Sequence, residues 1–299
     1  MTAESLPRIL LLGAGGQLGM QLKQAFTGKV ELTALARAEL DLSDAAAIRS
    51  AIQNANPEIV INAAAYTAVD KAESEPEQAR QVNAVAPGVI AEEVAKTNGW
   101  LIHYSTDYVF DGSGTKPWIE TDPTGPLGVY GQTKLDGELA IAAIGCKHVI
   151  LRTSWVYAAE GRNFLHTMLR LGREREQLKV VDDQIGAPTT AEALTEATMA
   201  VLRRLEGDAT GVAGVYHLAC AGETSWCGFA KAIFAEFASR QKAPEVLPIP
   251  TEAYPTPAKR PRNSRLNCNK FTQQFGFQMQ PWQDALHHVA QAMQSNLGR

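Results

Sequence analysis

The chain has 299 residues, 45% of them hydrophobic and 20% charged, which is typical of a globular protein with one large or two smaller domains. Its formal net charge of −4 leaves no basic field for a nucleic acid or an anionic membrane, so we expect neither as a partner. We also expect no signal peptide, because the start MTAESLPRILLLG has no charged region followed by a long apolar stretch. We expect no membrane helix, because no segment approaches the roughly 18 consecutive apolar residues of a membrane span.

Short apolar runs alternate with helix-length amphipathic stretches through the first two thirds of the chain. This alternation predicts an α/β fold of the Rossmann type, a doubly wound parallel sheet whose ligands bind at the carboxyl ends of the strands. The predicted strands are 9–12, 31–35, 59–63, 101–105, 149–153 and 179–181, and the predicted helices are 18–26, 45–54, 77–98 and 130–144.

The last third has a different pattern, with helices predicted at 191–205 and 226–239 and a strand at 215–219. Five prolines within 244–257 and a sixth at 261 cannot form a regular helix or a central strand, so we interpret this run as an ordered substrate-side loop. We predict a dinucleotide-binding domain over 1–155, to which parts of 181–215 return. Residues 156–180 and 216–299 are predicted to form a smaller C-terminal α/β substrate-binding lobe.

The four cysteines are scattered and include no C-x-x-C pair, and the six histidines have no metal-ligand spacing. We interpret the cysteines as reduced thiols, which favours a cytoplasmic location.

A glycine-rich segment directly follows the first predicted strand and opens the first predicted helix. Gly13, Gly16 and Gly19 fit the pattern G-x-x-G-x-x-G, which lets the backbone approach a pyrophosphate at a helix N-terminus. The alternative is a tight βα turn that binds no ligand.

Dinucleotide-binding folds often have an acidic residue after the second strand that hydrogen-bonds the adenosine ribose, and this chain has Arg37 there instead. A guanidinium suits a 2′-phosphate, so NADPH is favoured and NADH stays open; a solvated arginine is the alternative. Asp41, followed by Leu42, can lie beside the adenine. The small residues from Ala63 to Thr67 would let the cofactor lie against the backbone at the end of the third strand.

Tyr130 and Lys134 lie one helical turn apart on the same face of a predicted helix. A lysine cation is expected to lower the pKa of a nearby phenol from about 10 toward neutrality, which suits acid/base work. Thr106 follows Ser105 at the end of the fourth strand, where a hydroxyl can polarise a substrate carbonyl. This set predicts hydride transfer from a nicotinamide to a carbonyl carbon, with Tyr130 as the proton donor. Without Thr106 and the glycine-rich segment, the Tyr-x-x-x-Lys pattern would be interpreted as two exposed side chains on one helix.

Several longer segments resemble the dTDP-4-dehydrorhamnose reductase family of extended short-chain dehydrogenases, over nearly the whole chain from Ile9 to Trp282. The segments are GAGGQLG, NAAAYTAVDKAESEP, HYSTDYVFDG, VYGQTKLDGE, RTSWVYA, DDQIGAP and TPAKRPRNSRL. The resemblance implies NAD(P)H-dependent reduction of a keto-sugar nucleotide in dTDP-L-rhamnose synthesis.

The resemblance also implies roles for individual residues. Tyr130 is the proton donor, Lys134 its partner and a cofactor ligand, and Thr106 the hydroxyl that tunes proton transfer. The other implied residues are Gly16, Gln17 and Leu18 at the pyrophosphate, Ala65, Tyr66 and Thr67 in the cofactor-lining turn, and Asp107 and Trp155 at the deoxysugar nucleotide. Arg260, Arg262 and Arg265 form a cationic run that either clamps the substrate diphosphate, with Arg260 favoured, or faces solvent.

Some members of this family carry magnesium at a dimer interface, bound by glutamates of both subunits. Glu192 matches one of these positions, whereas Gln21 and Ala292 occupy others. An amide is a poorer ligand than a carboxylate for a hard dication, and a methyl group is none. The sequence therefore leaves both Mg²⁺ and a homodimer open.

Two rival functions remain at this point. A related non-catalytic group of the same fold binds NADP and regulates a methionine adenosyltransferase, but the intact Tyr130, Lys134 and Thr106 favour an enzyme. A related sugar-nucleotide epimerase or dehydratase is the other rival. A dehydratase is expected to need an additional acid pair, and this chain offers only Asp107.

Overall fold

The computed structural model describes residues 7–207 and 209–296. Its strands are Arg8–Leu12 (β1), Glu31–Leu35 (β2), Ile59–Asn62 (β3), Trp100–Thr106 (β4), Lys147–Thr153 (β5), Val156–Tyr157 (β6), Gln177–Val181 (β7), Ile185–Gly186 (β8), Thr189–Thr190 (β9), Gly214–His217 (β10), Thr224–Ser225 (β11) and Glu245–Ile249 (β12). Its α-helices are Gln17–Phe26 (α1), Ala45–Ala55 (α2), Val69–Ala72 (α3), Pro76–Arg80 (α4), Ala86–Lys96 (α5), Val129–Ile144 (α6), Phe164–Glu174 (α7), Ala191–Glu206 (α8), Trp226–Glu236 (α9), Asn269–Phe275 (α10) and Trp282–Asn296 (α11). Short 3-10 helices lie at Asp107–Val109 and Thr251–Ala253.

The central sheet has six parallel strands in the order β10-β5-β4-β3-β1-β2. The chain passes from β1 to β2 on one side and then places β3 on the other side of β1. This reversal creates a crevice at the carboxyl ends of β1 and β3, where parallel sheets bind their ligands. The predicted Rossmann-type fold is confirmed.

The central strands β1 and β3 are buried on both faces, because they are apolar in nearly every position. Ile9 and Leu11 of β1 pack into one cluster with α1 and α8, whereas Leu10 and Leu12 pack into another with α2 and α5. Successive side chains of a strand point to opposite faces, so a continuous apolar run fills two cores. This packing holds the loops that follow β1, β3 and β4 at one rim.

The predicted helix 77–98 is interrupted. A π-helical turn at Gln81–Val85 separates α4 from α5, and the Ala86 N–H donates to the Gln81 carbonyl. Pro87 has no N–H to continue the regular i→i−4 ladder, which explains the local change of pairing.

The proline-rich run contains a strand that the sequence analysis did not predict. β12 pairs in parallel with β7 in a separate two-stranded sheet, so the expectation of a loop is wrong for Glu245–Ile249. Pro248 is accommodated because a strand of a two-stranded sheet has one unpaired edge. β10, which lies at the predicted domain boundary, pairs with β5 in the central sheet. The predicted boundary at residue 215 falls within β10, and the domain division stays a prediction.

Within 7–207 and 209–296, none of the helices combines the length and apolarity needed to cross a bilayer. The signal-peptide prediction concerns the start MTAESLPRILLLG, of which residues 1–6 lie outside the described residues, and it stays a prediction. Cys146, Cys220, Cys227 and Cys268 are free thiols.

Candidate active site

A cavity of about 820 Å³ lies at the carboxyl ends of the central strands, a volume suited to a cofactor together with a substrate. The structure brings most of the predicted site residues to this one cavity. They are Gly13, Gly16, Gln17, Leu18, Arg37, Asp41, Leu42, Ala63, Ala65, Tyr66, Thr67, Thr106, Asp107, Tyr130, Lys134, Trp155 and Arg260.

The glycine loop closes the end of the cavity at β1 and α1. Gly13 has φ +83°, and a Cβ there would lie 2.7 Å from the backbone nitrogen of Ala64. Gly16 is the N-cap of α1 and no side chain caps the helix, so the first-turn N–H groups have no side-chain acceptor, and Gly16, Gln17 and Leu18 line the cavity. This cradle of backbone donors at a positive helix end can receive a pyrophosphate.

Gly19 does not line the cavity. A Cβ at this position would clash with the carbonyl oxygen of Gly13 and the Cα of Ala14. Its absent side chain therefore allows α1 to pack closely against the glycine loop. The expectation of a cofactor contact at Gly19 stays a prediction beside this packing role.

Arg37 and Asp41 lie at the opposite end of the cavity, after β2. Arg37 is exposed, and its guanidinium can reach a ligand at the rim. The Ser43 N–H donates to Asp41 Oδ1 over 2.9 Å, and this bond lowers the pKa of Asp41. The carboxylate therefore stays ionised beside the guanidinium, which helps to lower the same pKa.

Asn83, which the sequence analysis did not select, supports the cofactor-lining turn. Its Oδ1 accepts the Tyr66 N–H at 2.8 Å, and its Nδ2 donates to the Tyr66 carbonyl and to Thr133 Oγ1 at 3.1 and 3.2 Å. Asn83 is buried, so these bonds satisfy its amide and hold the turn against α6. A lone polar residue among apolar helix positions was its only sequence signal.

Tyr130 lies in the first turn of α6 with its ring against the edge of Tyr108, the centroids 5.5 Å apart. Burial raises the pKa of Tyr130 to about 12, against a smaller lowering by a hydrogen bond with Thr106. The phenol is therefore protonated at neutral pH. The expectation that Lys134 lowers this pKa is wrong for this structure.

The reason is the direction of the lysine side chain. Lys134 is buried, and its Nζ donates to the Tyr104 carbonyl at 2.7 Å and lies 3.3 Å from His103 Nε2. Burial lowers the pKa of Lys134 to about 8, partly opposed by Glu138 one turn further along α6. The lysine is thus anchored to β4, at the base of the cavity.

Thr106 and Asp107 end β4 beside the tyrosine. Thr106 Oγ1 donates to Asp107 Oδ1 at 3.0 Å and accepts the Tyr108 N–H at 3.2 Å. Burial raises the pKa of Asp107 to about 6. Among the described residues, Asp107 Oδ2 has no hydrogen-bond partner, so it can accept from a ligand hydroxyl.

An aromatic pair closes the cavity on the C-terminal side. Trp155 has φ +50° and stacks on Trp226, with ring centroids 3.7 Å apart and an interplanar angle of 12°. Gly186 makes room for the Trp155 ring, because a Cβ there would lie 2.8 Å from it. The sequence analysis selected Trp155 and missed Trp226, which is 71 positions away and belongs to α9. Other cavity-lining residues that it missed include Tyr104, Tyr108, Thr153 and Val156.

The three arginines predicted as one cationic cluster have separate carboxylate partners. Arg260 pairs with Asp70 at 2.9 Å, Arg262 with Glu252, and Arg265 with Glu223 at 2.6 Å. Of the three, Arg260 alone lines the cavity. A clamp made by all three is therefore not formed.

Glu192 lies at the start of α8 and does not line the cavity. Burial raises the pKa of Glu192, and the charges of Glu196 and Glu160 act in the same direction. Over the described ranges, no group of three or more His, Cys, Asp or Glu side chains could hold a metal ion. Within one chain Glu192 thus lacks the several oxygen ligands that Mg²⁺ needs, and a magnesium site shared by two subunits stays a prediction.

The model of the RmlD substrate binding domain family matches residues 7–295. A dTDP-4-dehydrorhamnose reductase of Escherichia coli (strain K12) is 47% identical over 283 residues, covering 92% of this chain and 94% of that protein. A crystal structure of a dTDP-4-dehydrorhamnose reductase from Clostridium acetobutylicum has a TM-score of 0.88 and 36% identity, covering 96% of this chain and 99% of the other. The Bacillus anthracis reductase in complex with NADP also has a TM-score of 0.88, with 34% identity over 95% of this chain and 98% of the other.

Proposed function

The chain belongs to the dTDP-4-dehydrorhamnose reductase family, and we propose that it reduces the C4 keto group of dTDP-4-dehydro-L-rhamnose to give dTDP-L-rhamnose. The observation that carries this proposal is the meeting of Tyr130, Lys134 and Thr106 in one cavity with the glycine loop. A proton donor and a dinucleotide cradle at one site are the requirements for reduction by hydride transfer.

We propose NADPH as the reductant, with its pyrophosphate at Gly13, Gly16, Gln17 and Leu18. The NADP complex of the Bacillus anthracis relative supports this choice, and so does Arg37, whose guanidinium suits a 2′-phosphate. When bound, this cofactor supplies the hydride that reduces the carbonyl carbon. Asp41, Leu42, Ala63, Ala65, Tyr66 and Thr67 would line its adenosine and ribose portions.

Tyr130 would donate the proton that the carbonyl oxygen needs as the carbon is reduced. Its raised pKa, about 12, keeps the phenol in the protonated form that a proton donor requires. Efficient proton transfer needs a pKa nearer the working pH, so a positive charge near the phenol would be required to lower it during the reaction. The Thr106 hydroxyl would donate a hydrogen bond to the same carbonyl oxygen of the substrate. Lys134 would stabilise the phenolate left after proton transfer when its Nζ carries a charge.

The sugar nucleotide would enter from the side of the C-terminal segment. Asp107 Oδ2 offers a buried acceptor for a sugar hydroxyl, the Trp155–Trp226 stack offers an apolar wall, and Arg260 offers a cation for the diphosphate. We further propose that the product is an L-rhamnose donor for cell-surface polysaccharide and that the reaction is cytoplasmic. The four free thiols are consistent with a reducing compartment. A homodimer stays a prediction.

The test is NADPH consumption at 340 nm with purified protein and the 4-keto-6-deoxyhexose nucleotide, supplied in situ by an upstream dehydratase and epimerase. Stoichiometric NADPH loss with formation of dTDP-L-rhamnose, identified by NMR, is the expected result. Tight NADPH binding without turnover would instead favour the regulatory subunit. Interconversion of sugar epimers without net NADPH loss would favour the epimerase.

A further inference from the structure

His103 is a fully buried histidine that no step of the proposed reaction uses. It lies in β4, and its ring joins two other elements: Nδ1 is 3.1 Å from Asn62 Nδ2, and Nε2 is 3.3 Å from Lys134 Nζ. Asn62 ends β3, immediately before the cofactor-lining turn, and Lys134 belongs to α6. The ring therefore bridges that turn and the lysine of the acid/base pair.

The orientation of Asn62 determines which ring nitrogen carries the proton. Asn62 Oδ1 accepts the Ala64 N–H at 3.2 Å, so the amide NH₂ group faces the ring and donates to Nδ1. Burial lowers the pKa of His103 well below its ordinary value, and the charges of Lys134 and His148 lower it further. The neutral ring therefore carries its single proton on Nε2.

This arrangement has a consequence for Lys134. An ammonium group has donors and no acceptor, so it cannot receive the Nε2–H, whereas an uncharged amine can. Nζ already donates to the Tyr104 carbonyl at 2.7 Å. This orientation of the Asn62 amide and the His103 ring is thus the one that suits an uncharged lysine, the form that Lys134 takes above its pKa of about 8.

Protonation of Lys134 requires the opposite arrangement. Nε2 must then accept from the ammonium, the ring must carry its proton on Nδ1, and Asn62 must present Oδ1 to that proton. The Ala64 N–H then loses its acceptor. One proton leaves Nε2 and one is gained at Nδ1, so the ring stays neutral while the lysine gains a proton from solvent.

We propose that His103 is a positioning residue for the acid/base pair, which holds Lys134 Nζ at the base of the cavity and couples its charge to the Asn62–Ala64 hydrogen bond of the cofactor-lining turn. The hydrogen-bond chain is independent of the reaction, and only the catalytic importance of Lys134 rests on the proposed function. A charged lysine would thereby free a backbone donor beside the cofactor.

The charged groups around this chain come from each neighbouring element. His148 of β5 acts on His103, and Glu138 of α6 raises the pKa of Lys134. Glu138 is itself held by Arg152 of β5, with contacts of 2.6–3.2 Å. Tyr130 lies one turn before Lys134 on α6. Lys134 is therefore the titrating group in direct contact with the ring.

The first test needs neither substrate nor cofactor. In protein labelled with ¹⁵N-histidine, we expect the His103 ring to remain neutral between pH 6 and 10, as set by its buried position. Its ¹⁵N shifts should change from the Nδ1–H to the Nε2–H tautomer, with a midpoint at the pKa of Lys134, which is about 8. In Lys134→Met, the tautomer should be constant. A single tautomer at all pH values in the wild type, or an imidazolium with a midpoint near 6.5, would overturn the proposal.

The second test uses the pH profile of kcat/KM, whose alkaline limb reports Lys134 in the free enzyme. In Asn62→Asp a carboxylate accepts Nδ1–H permanently, so Nε2 stays an acceptor and the limb should move up by about one pH unit. When Asn62→Asp is combined with His103→Leu, the alkaline limb should move by less than half as much. Asn54→Asp, at an exposed position of α2 without a contact to the ring, should leave it unmoved. If Asn62→Asp moves the alkaline limb equally with and without His103, the effect acts through space and the proposal is wrong. If the wild-type protein has no reductase activity, only the proposed function is refuted.

Discussion

Arg260 Nη2 lies 2.9 Å from Asp70 Oδ2, so an ion pair joins the proline-rich C-terminal segment to α3, the helix after the cofactor-lining turn. The two side chains are 31% and 39% exposed, so the pair itself adds little to stability, about 0–1 kcal/mol. Arg260 Nε is buried without a partner among the described residues. The guanidinium thus has a free donor for an anionic ligand while Asp70 holds it in place.

This arrangement predicts that Arg260→Ala weakens substrate binding far more than folding. Loss of a charge-assisted hydrogen bond of about 1.5–3 kcal/mol should raise the KM for the sugar nucleotide by about 10- to 100-fold. Arg262→Ala is the matched control, since Arg262 pairs with Glu252 and does not line the main cavity. Initial rates against substrate concentration measure both, and equal effects would exclude a specific role for Arg260.

Tyr130→Phe should lower kcat by about 10²- to 10⁴-fold, because it removes the proton donor. The dissociation constant for NADPH should change little, since the phenyl ring can keep its edge contact with Tyr108. Stopped-flow turnover and a fluorescence titration with NADPH measure the two quantities. A variant with wild-type rates would refute Tyr130 as the acid.

Gly13→Ala should abolish dinucleotide binding and destabilise the protein, because the new methyl group would lie 2.7 Å from Ala64 N. Gly28→Ala is its control: Gly28 also has positive φ, +76°, but nothing lies within 4 Å of the added Cβ. An alanine with positive φ costs about 1–2 kcal/mol in either variant. The difference between their free energies of unfolding therefore reports the contact between the new methyl group and Ala64. Urea denaturation and NADPH titration should separate them, and two equally mild variants would contradict the packing.

Asp107→Asn should stabilise the protein near pH 7.5 and lower its activity. The carboxyl has its pKa raised from an ordinary 3.8 to about 6 on folding, so the folded state binds its proton more tightly. That contribution is fully present below pH 3.8 and is lost as the pH rises through about 6. The buried carboxylate then costs about 3 kcal/mol, the free-energy equivalent of that pKa difference.

In urea denaturation, the free energy of unfolding of Asp107→Asn should therefore exceed that of the wild type above pH 6 and equal it below pH 4. Asp111→Asn is a control of opposite sign, because its hydrogen bond to the Ser113 N–H lowers the pKa of that exposed carboxyl. Its stabilising contribution is present above the unfolded pKa and lost as the pH falls. A gain for Asp107→Asn that persists at pH 3.5 would point to a packing effect instead.

Arg37→Ala should raise the KM for NADPH by about tenfold and leave the KM for NADH nearly unchanged, since only NADPH has a 2′-phosphate for the guanidinium. Arg170→Ala is a suitable control, because Arg170 is exposed on α7 and pairs with Glu174. Steady-state kinetics with both cofactors decide the question. Parallel changes in both KM values would contradict the assignment.

Local patterns in the sequence predicted much of the fold and of the site. The glycine loop, the strand-end Thr106 and the Tyr130–Lys134 pair each depend on a few neighbouring residues and on the regular geometry of one element. Their meeting in one cavity followed from the rule that parallel strands place their carboxyl ends together. The strand in the proline-rich run was missed because it depends on pairing with β7, which overrides local preference. The π-helical turn within 77–98 was missed although Pro87, a local residue, accounts for it.

The sequence by itself thus determined the fold class, the glycine turn between β1 and α1, and the placement of Tyr130 and Lys134 one turn apart on α6, since short-range periodicity and residue chemistry are sufficient for these. Only the tertiary structure decided the protonation and partners of the side chains. It turned Lys134 toward His103 and Tyr104, placed Trp226 on Trp155, and gave Arg262 and Arg265 their own carboxylates. Burial and hydrogen bonding are properties of the packed chain, and residues far apart in sequence supply them.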